Sequence, residues 1–166
     1  VQTTTQSAVA DAVKDDAVAG SGVVQALFIV DSTGALQRVE ARDLSEGPVG
    51  VVLDQSPFYA EAGGQKNDVG TIQVDGLSLE VRDVQAYAGY VLHTCVASSG
   101  SISVSASVQS KVDEENRRRN AINHSMTHAL NWALWTKLGD GVAQRGSDND
   151  AERLRFDFSH GKALTT

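Results

Sequence analysis

Cysteine occurs once in this chain, at position 95, so neither an internal disulfide nor a multi-cysteine metal site can form within it. Its cysteine usage therefore gives no argument for an oxidising compartment. No apolar run approaches the roughly 20 residues that a membrane-spanning helix needs, and no charged-then-apolar signal segment opens the sequence. Lysine and arginine total 14 against 21 acidic residues, a formal charge of −7. That balance works against a general phosphate-binding surface, because nonspecific nucleic-acid affinity comes from neutralising phosphates. Composition alone does not suggest RNA. Aromatic residues make up 5% and proline occurs twice, whereas glycine occurs 15 times, a balance that suits short strands joined by Gly and Asp/Asn turns.

What the sequence does contain is enough apolar material, 41% of 166 residues, for one domain with a full core or two small ones. The chain begins at Val1 without a methionine and stops just after a dense motif, so both ends are expected to be cut. Residues 1 to 22, rich in Ala, Val, Thr and Asp and ending in Gly20-Ser21-Gly22, read as a tail and linker. From Val23 the pattern becomes strand-like, with Val23 to Val30 and Ala35 to Glu40 flanking the turn residues Asp31 to Gly34. Further runs follow at Val49 to Asp54, Gly70 to Val74, Leu77 to Val84, Tyr90 to Ala97 and Ser101 to Val108. Asp75-Gly76 is a two-residue hairpin signal, since both positions tolerate positive φ. Short strands at this spacing predict a small barrel over residues 23 to 110, because closure removes exposed edges.

The period then changes. Ser110 followed by Asp113 predicts a helix start, and Ile122, Met126, Ala129, Ala133 and Lys137 fall at helical spacing up to Gly139, giving one helix over 112 to 138. Gly141 to Ser147 and Asp148-Asn149-Asp150 read as turns, and Leu154 to Phe158 alternates like a half-buried strand. The fold expected is α+β: a small β-barrel, then a long helix and the start of a second domain.

His124 and His128 lie at i and i+4, so their imidazoles project from one helical face and can converge on one cation. At about 100° per residue that face lies opposite Ile122 and includes Asn131 and Trp135. A hydrogen-bonded or exposed histidine pair has the same spacing, and zinc needs three or four protein ligands. Cys95 reads as a small buried apolar residue, His93 as structural and His160 as a loop residue. Arg117, Arg118 and Arg119 follow Asp113, Glu114 and Glu115; a helix turn balancing its neighbours and a phosphate contact both fit. Gly63-Gly64, before Gln65, permits close approach to a ligand or another strand, or a tight bend at a barrel corner.

Together these segments carry a resemblance. Val51 to Gln65, ending Phe58-Tyr59-Ala60-Glu61-Ala62-Gly63-Gly64-Gln65, resembles the glycine-rich signature of alanyl-tRNA synthetases, class II enzymes, and of related free-standing editing proteins. Asn123-His124-Ser125-Met126-Thr127-His128 is similar to their Asn-His-x-x-Thr-His zinc helix, and Gln144 to Ser147 and Leu154 to His160 follow at the family's distances. Val84 to Thr94 is more similar to the eukaryotic cytosolic branch, which implies a cytoplasmic protein with no membrane partner.

The resemblance implies that residues 111 to 166 open an editing domain, following the barrel domain with its Gly-Gly-Gln motif at 23 to 110 and a tail of a preceding domain at 1 to 22. It implies hydrolysis of mischarged Ser-tRNA(Ala) and Gly-tRNA(Ala), which a synthetic pocket for alanine separates too weakly by binding alone. His124 and His128 match zinc ligands, Gln144 and Thr127 match catalytic positions, and Gly63, Gly64, Gln65 and Arg155 match positions beside the substrate. The family completes its zinc site with a later Cys-x3-His that residues 1 to 166 do not contain. ATP and Mg2+ would serve a ligase domain elsewhere in the parent, with tRNA(Ala) as partner. A free-standing deacylase and a barrel that only docks RNA or another domain are the alternatives; the strand-rich segment before Val49 counts against the first.

Overall fold

The computed structural model describes residues 17–31, 33–161 and 163. Among these the chain divides into two compact units, one reaching Glu61 and resuming from Asn67 to Glu114, the other joining Ala62–Lys66 to Glu115 onward.

The first unit is a barrel. Strands β1 (Ala19–Val30), β4 (Val49–Leu53), β7 (Tyr90–Val96), β6 (Leu77–Tyr87), β5 (Gly70–Val74) and β9 (Ser107–Val112) pair antiparallel in that order, and β9 returns to β1, closing a ring of six. β2 (Leu36–Val39) adds to β1 outside the ring, while β3 (Ala41–Asp43) and β8 (Ser101–Ser103) form a separate two-stranded sheet. Closure leaves the ring strands without free edges. The core fills with inward residues such as Leu27, Val51, Phe58, Ile72, Leu79 and Cys95. Register shifts between Val24 and Ala26 and between Val81 and Asp83 reset the alternation, so that Val24 and Leu27, and Val81 and Val84, all face inward.

Both predicted hairpins form. Asp75 and Gly76 take φ of 48° and 80° between β5 and β6. At the β1–β2 turn, Asp31 Oδ1 accepts from the Thr33 and Ala35 backbone N–H groups at 2.8 and 3.0 Å; Ser32 lies outside the described residues. Two expectations need correction. Gly20-Ser21-Gly22, read as linker, belongs to β1, where it pairs with Ser110 to Val108 of β9; a Cβ on Gly22 would stand 2.8 Å from the Gln55 carbonyl oxygen, so glycine is needed in the strand. The run Ser101 to Val108 is broken at Ser105, whose φ of 68° turns the chain from β8 into β9. Residues 1–16 of the expected tail lie outside the described residues.

The second unit contains α1 (Glu114–Leu138) and the hairpin of β10 (Gln144–Asn149) with β11 (Leu154–Phe158). Ser110 does not cap the helix: it is buried within β9, and α1 begins just after Asp113. Gly139, with φ of 90°, ends α1 by donating its N–H to the Trp135 carbonyl. Gln144 to Asn149, read as two turns, is strand. The turn comes later, where Asp150 Oδ1 accepts from Glu152 N and Arg153 N at 2.8 Å each. Ladder bonds to β11 outweigh the low strand propensity of Gly146, Asp148 and Asn149. No described helix is long and apolar enough to cross a membrane.

Candidate functional site

The second unit gathers most of the residues singled out from the sequence. Gly63 and Gly64, with φ of 59° and 81°, form a tight turn that pairs Ala62 with Gln65. The turn lies against β10: Asn149 N donates to Gly64 O at 2.7 Å, and Lys66 N donates to Asn149 O at 2.9 Å. A Cβ on Gly64 would collide with Ser147 Oγ and stand 2.7 Å from Ser147 O, whereas one on Gly63 would meet nothing. Of the readings open for this glycine pair, close approach to another strand is the one observed, and it is Gly64 that requires glycine.

Helix α1 presents to this unit the face opposite its aliphatic stripe. Asn120 and Thr127 are buried and Asn123, His124 and Asn131 half-buried, while Ile122, Met126 and Trp132 are 47%, 54% and 69% exposed. Polar residues line the inner face because they hold the hairpin. Asn123 Nδ2 donates to Asp150 O at 2.7 Å, and Thr127 Oγ1 lies 3.0 Å from Asn123 O and 2.9 Å from Asn149 Oδ1. Thr127 thus bonds to the protein itself, joining α1 to β10.

His124 and His128 converge as their spacing predicts, with Nε2 atoms 3.2 Å apart and rings crossing edge to face. Two nitrogens at zinc bond lengths of about 2.05 Å and tetrahedral angles stand about 3.3 Å apart. The pair therefore fits two neighbouring corners of such a site. The described residues contain no group of three or more His, Cys, Asp or Glu that could hold a metal. Gln144 lines an open cavity of about 350 Å³ with Asn131, Trp132 and Trp135 of α1, and its Nε2 lies 3.3 Å from Ser147 Oγ. Arg155 is exposed on β11, with both ends of its guanidinium on Asp157 at 2.7 and 3.1 Å. His160 follows β11 in an irregular stretch.

Arg118 and Arg119 both bind Glu115, at 2.9 and 2.8 Å, and their hydrogen bonds lower its pKa to about 2. These pairs are those of a helix turn balancing its neighbours. In the barrel, His93 is fully buried; its Nδ1–H donates to Val51 O at 2.9 Å, so Nε2 accepts from Ser56 Oγ at 2.7 Å, and burial lowers its pKa to about 4. Cys95 is likewise buried, and burial pushes its thiol up. Both behave as structural residues.

Sequence reading missed Asn149, Ser147 and Asn123. Only Asn123 carried a local signal, as the first residue of the histidine motif; Asn149 and Ser147 matter through contacts with segments distant in sequence.

A family model described as tRNA synthetases class II (A) matches residues 6–116. Alanine–tRNA ligases are among the similar proteins. That of Pseudomonas fluorescens is 49% identical over 73% of this chain and 14% of its own length. That of Pseudomonas entomophila is 45% identical over 90% and 16%, and that of Schizosaccharomyces pombe 41% identical over 93% and 16%. This chain thus spans about 14 to 16% of the length of these curated relatives. Bacterial and fungal relatives align beyond the family match into the second unit. The chain belongs to the class II (A) tRNA synthetases, the family of the alanine–tRNA ligases it resembles.

Proposed function

We propose that the second unit opens the proofreading module of an alanine–tRNA ligase, which hydrolyses the ester joining serine or glycine to tRNA(Ala). The observation that carries the reading is the convergence of His124 and His128 Nε2 at 3.2 Å on a helix whose inner face is bonded to the strand bearing Gln144. Two imidazoles so placed suit a zinc ion, with further ligands supplied from outside residues 1 to 166. Bound zinc would supply charge to polarise the ester or hold the amino group. The protein's own part is orientation. Thr127 and Asn149 hold α1 to β10, Gly64 lets the glycine-rich turn lie against Ser147, and Gln144 offers an amide at the rim of the open cavity. Attachment of alanine, with ATP and Mg2+, would belong to the rest of the ligase in the cytoplasm.

The test is deacylation of Ser-tRNA(Ala) by the complete ligase and by its Gln144→Ala form, with alanine attachment measured alongside. The expected result is slower removal of serine with attachment retained. Unchanged deacylation would take Gln144 out of the site.

A further inference from the structure

On the outer face of the barrel, remote in sequence from the histidine helix, strands β2, β1, β4 and β7 floor a concavity of about 550 Å³. Its floor is Phe28, Val52 and Leu92, brought together over Gly50, where a Cβ would stand 2.9 Å from Leu92 Cδ1 and 3.4 Å from Phe28 Cβ. Tyr87 and Tyr90 wall one side. They are directly opposed across a two-residue turn, so they share one face of the sheet. The turn is unusual, because Ala88, not glycine, takes a φ of 46° beside Gly89 at 94°. A left-handed alanine is strained and persists where the surroundings hold it. The tyrosines are 55% and 63% exposed, and neither stacks on another aromatic ring among the described residues. Arg38 also lines the concavity. Arg42, Arg82, Arg118, Arg119, Arg153 and Arg155 each pair with a carboxylate, but Arg38 has no ion-pair partner among the described residues.

We propose that this groove binds an unpaired nucleotide of the tRNA, its base stacked on Tyr87 and Tyr90 and its phosphate drawn to Arg38. A formal charge of −7 works against holding RNA by a broad phosphate footprint. Stacking of a splayed-out base on tyrosine needs little positive charge, and one unpaired guanidinium suffices to receive the adjoining phosphate. The inference rests on the proposed role in tRNA chemistry but uses a different surface and different residues.

The experiment uses the complete ligase and tRNA(Ala). Short-wavelength irradiation of the complex, followed by peptide mass spectrometry, should find nucleotide adducts on Tyr87 or Tyr90. Replacing both tyrosines with alanine should raise the tRNA Kd about 5- to 100-fold, whereas Tyr87→Phe with Tyr90→Phe, which keeps the rings, should leave it within about twofold. Arg38→Gln should reduce the slope of log affinity against log salt by about 0.7. If the wild type binds tRNA but the alanine pair matches it within twofold and no adduct forms, the inference is overturned alone. Should that alanine pair lower the melting temperature without changing Kd, the groove seats another segment of the ligase, which also overturns it. A wild type that binds no tRNA overturns the proposed function as well.

Discussion

Thr127 Oγ1 lies 2.9 Å from Asn149 Oδ1, and both side chains are buried. Asn149 also exchanges backbone bonds with Gly64 and Lys66, so one residue joins the helix to the glycine-rich turn. Thr127→Val would leave the Asn149 amide buried without this partner, at a cost of roughly 1 to 3 kcal/mol. Pairing it with Asn149→Leu, which removes the stranded amide, should cost less than the sum of the single changes. Chemical denaturation of the four proteins checks this; strict additivity would mean that the two side chains are not coupled.

Gly64→Ala and Gly63→Ala differ by one position but should differ widely in effect. At Gly63 the added methyl meets nothing, leaving only left-handed strain of roughly 1 kcal/mol. At Gly64 it also meets the Ser147 backbone, adding roughly 1 to 3 kcal/mol of overpacking. Hydrogen exchange at the Lys66 and Asn149 amides, which bond across this contact, should accelerate in Gly64→Ala and change little in Gly63→Ala. Equal exchange in the two variants would refute the close approach.

His93 makes the barrel sensitive to acid. Its pKa falls from 6.5 to about 4 on folding, chiefly through burial, with the Val51 carbonyl opposing. The unfolded chain therefore takes up a proton below pH 6.5 that the folded barrel refuses until about pH 4. This contribution is complete above pH 6.5 and declines as pH falls through that window, by about 3 kcal/mol in all. Between pH 7.5 and 5, wild type should lose about 2 kcal/mol more than His93→Gln. Parallel losses in urea denaturation would remove His93 as the cause.

Residues 1 to 166 should hold zinc poorly. His124 and His128 supply two nitrogens, and a site that survives dialysis needs at least three protein ligands. The complete ligase should retain one zinc and lose it in His124→Ala. One tightly held zinc in residues 1 to 166 would send the search for further ligands to His160, since both ring nitrogens of His93 are already bonded and Cys95 is buried in the barrel core.

Replacing Arg117, Arg118 and Arg119 together with glutamine should change tRNA affinity little. Glu115 already engages Arg118 and Arg119. The effect on the salt slope should fall well below the roughly 2 to 3 that three free phosphate contacts would give. A slope change of that full size would show that RNA displaces Glu115.

What the sequence determined by itself is what short-range geometry controls. The Asp75-Gly76 turn follows from the backbone freedom of two adjacent residues, and the meeting of His124 with His128 follows from 3.6 residues per turn. Alternation of apolar residues likewise announced the barrel strands, except where bulges at Val24 and Val81 break the period. Tertiary structure alone decided what the face of α1 opposite Ile122 bonds to: Asn123 and Thr127 turn to the hairpin, because Asp150 O and Asn149 Oδ1 accept from them there. The same holds for Gln144 to Asn149, strand only because β11 returns to pair with it, and for the crowding at Gly64, where Ser147, 83 positions later, occupies the space a Cβ would need. Such roles arise where distant segments meet, and no local pattern encodes them.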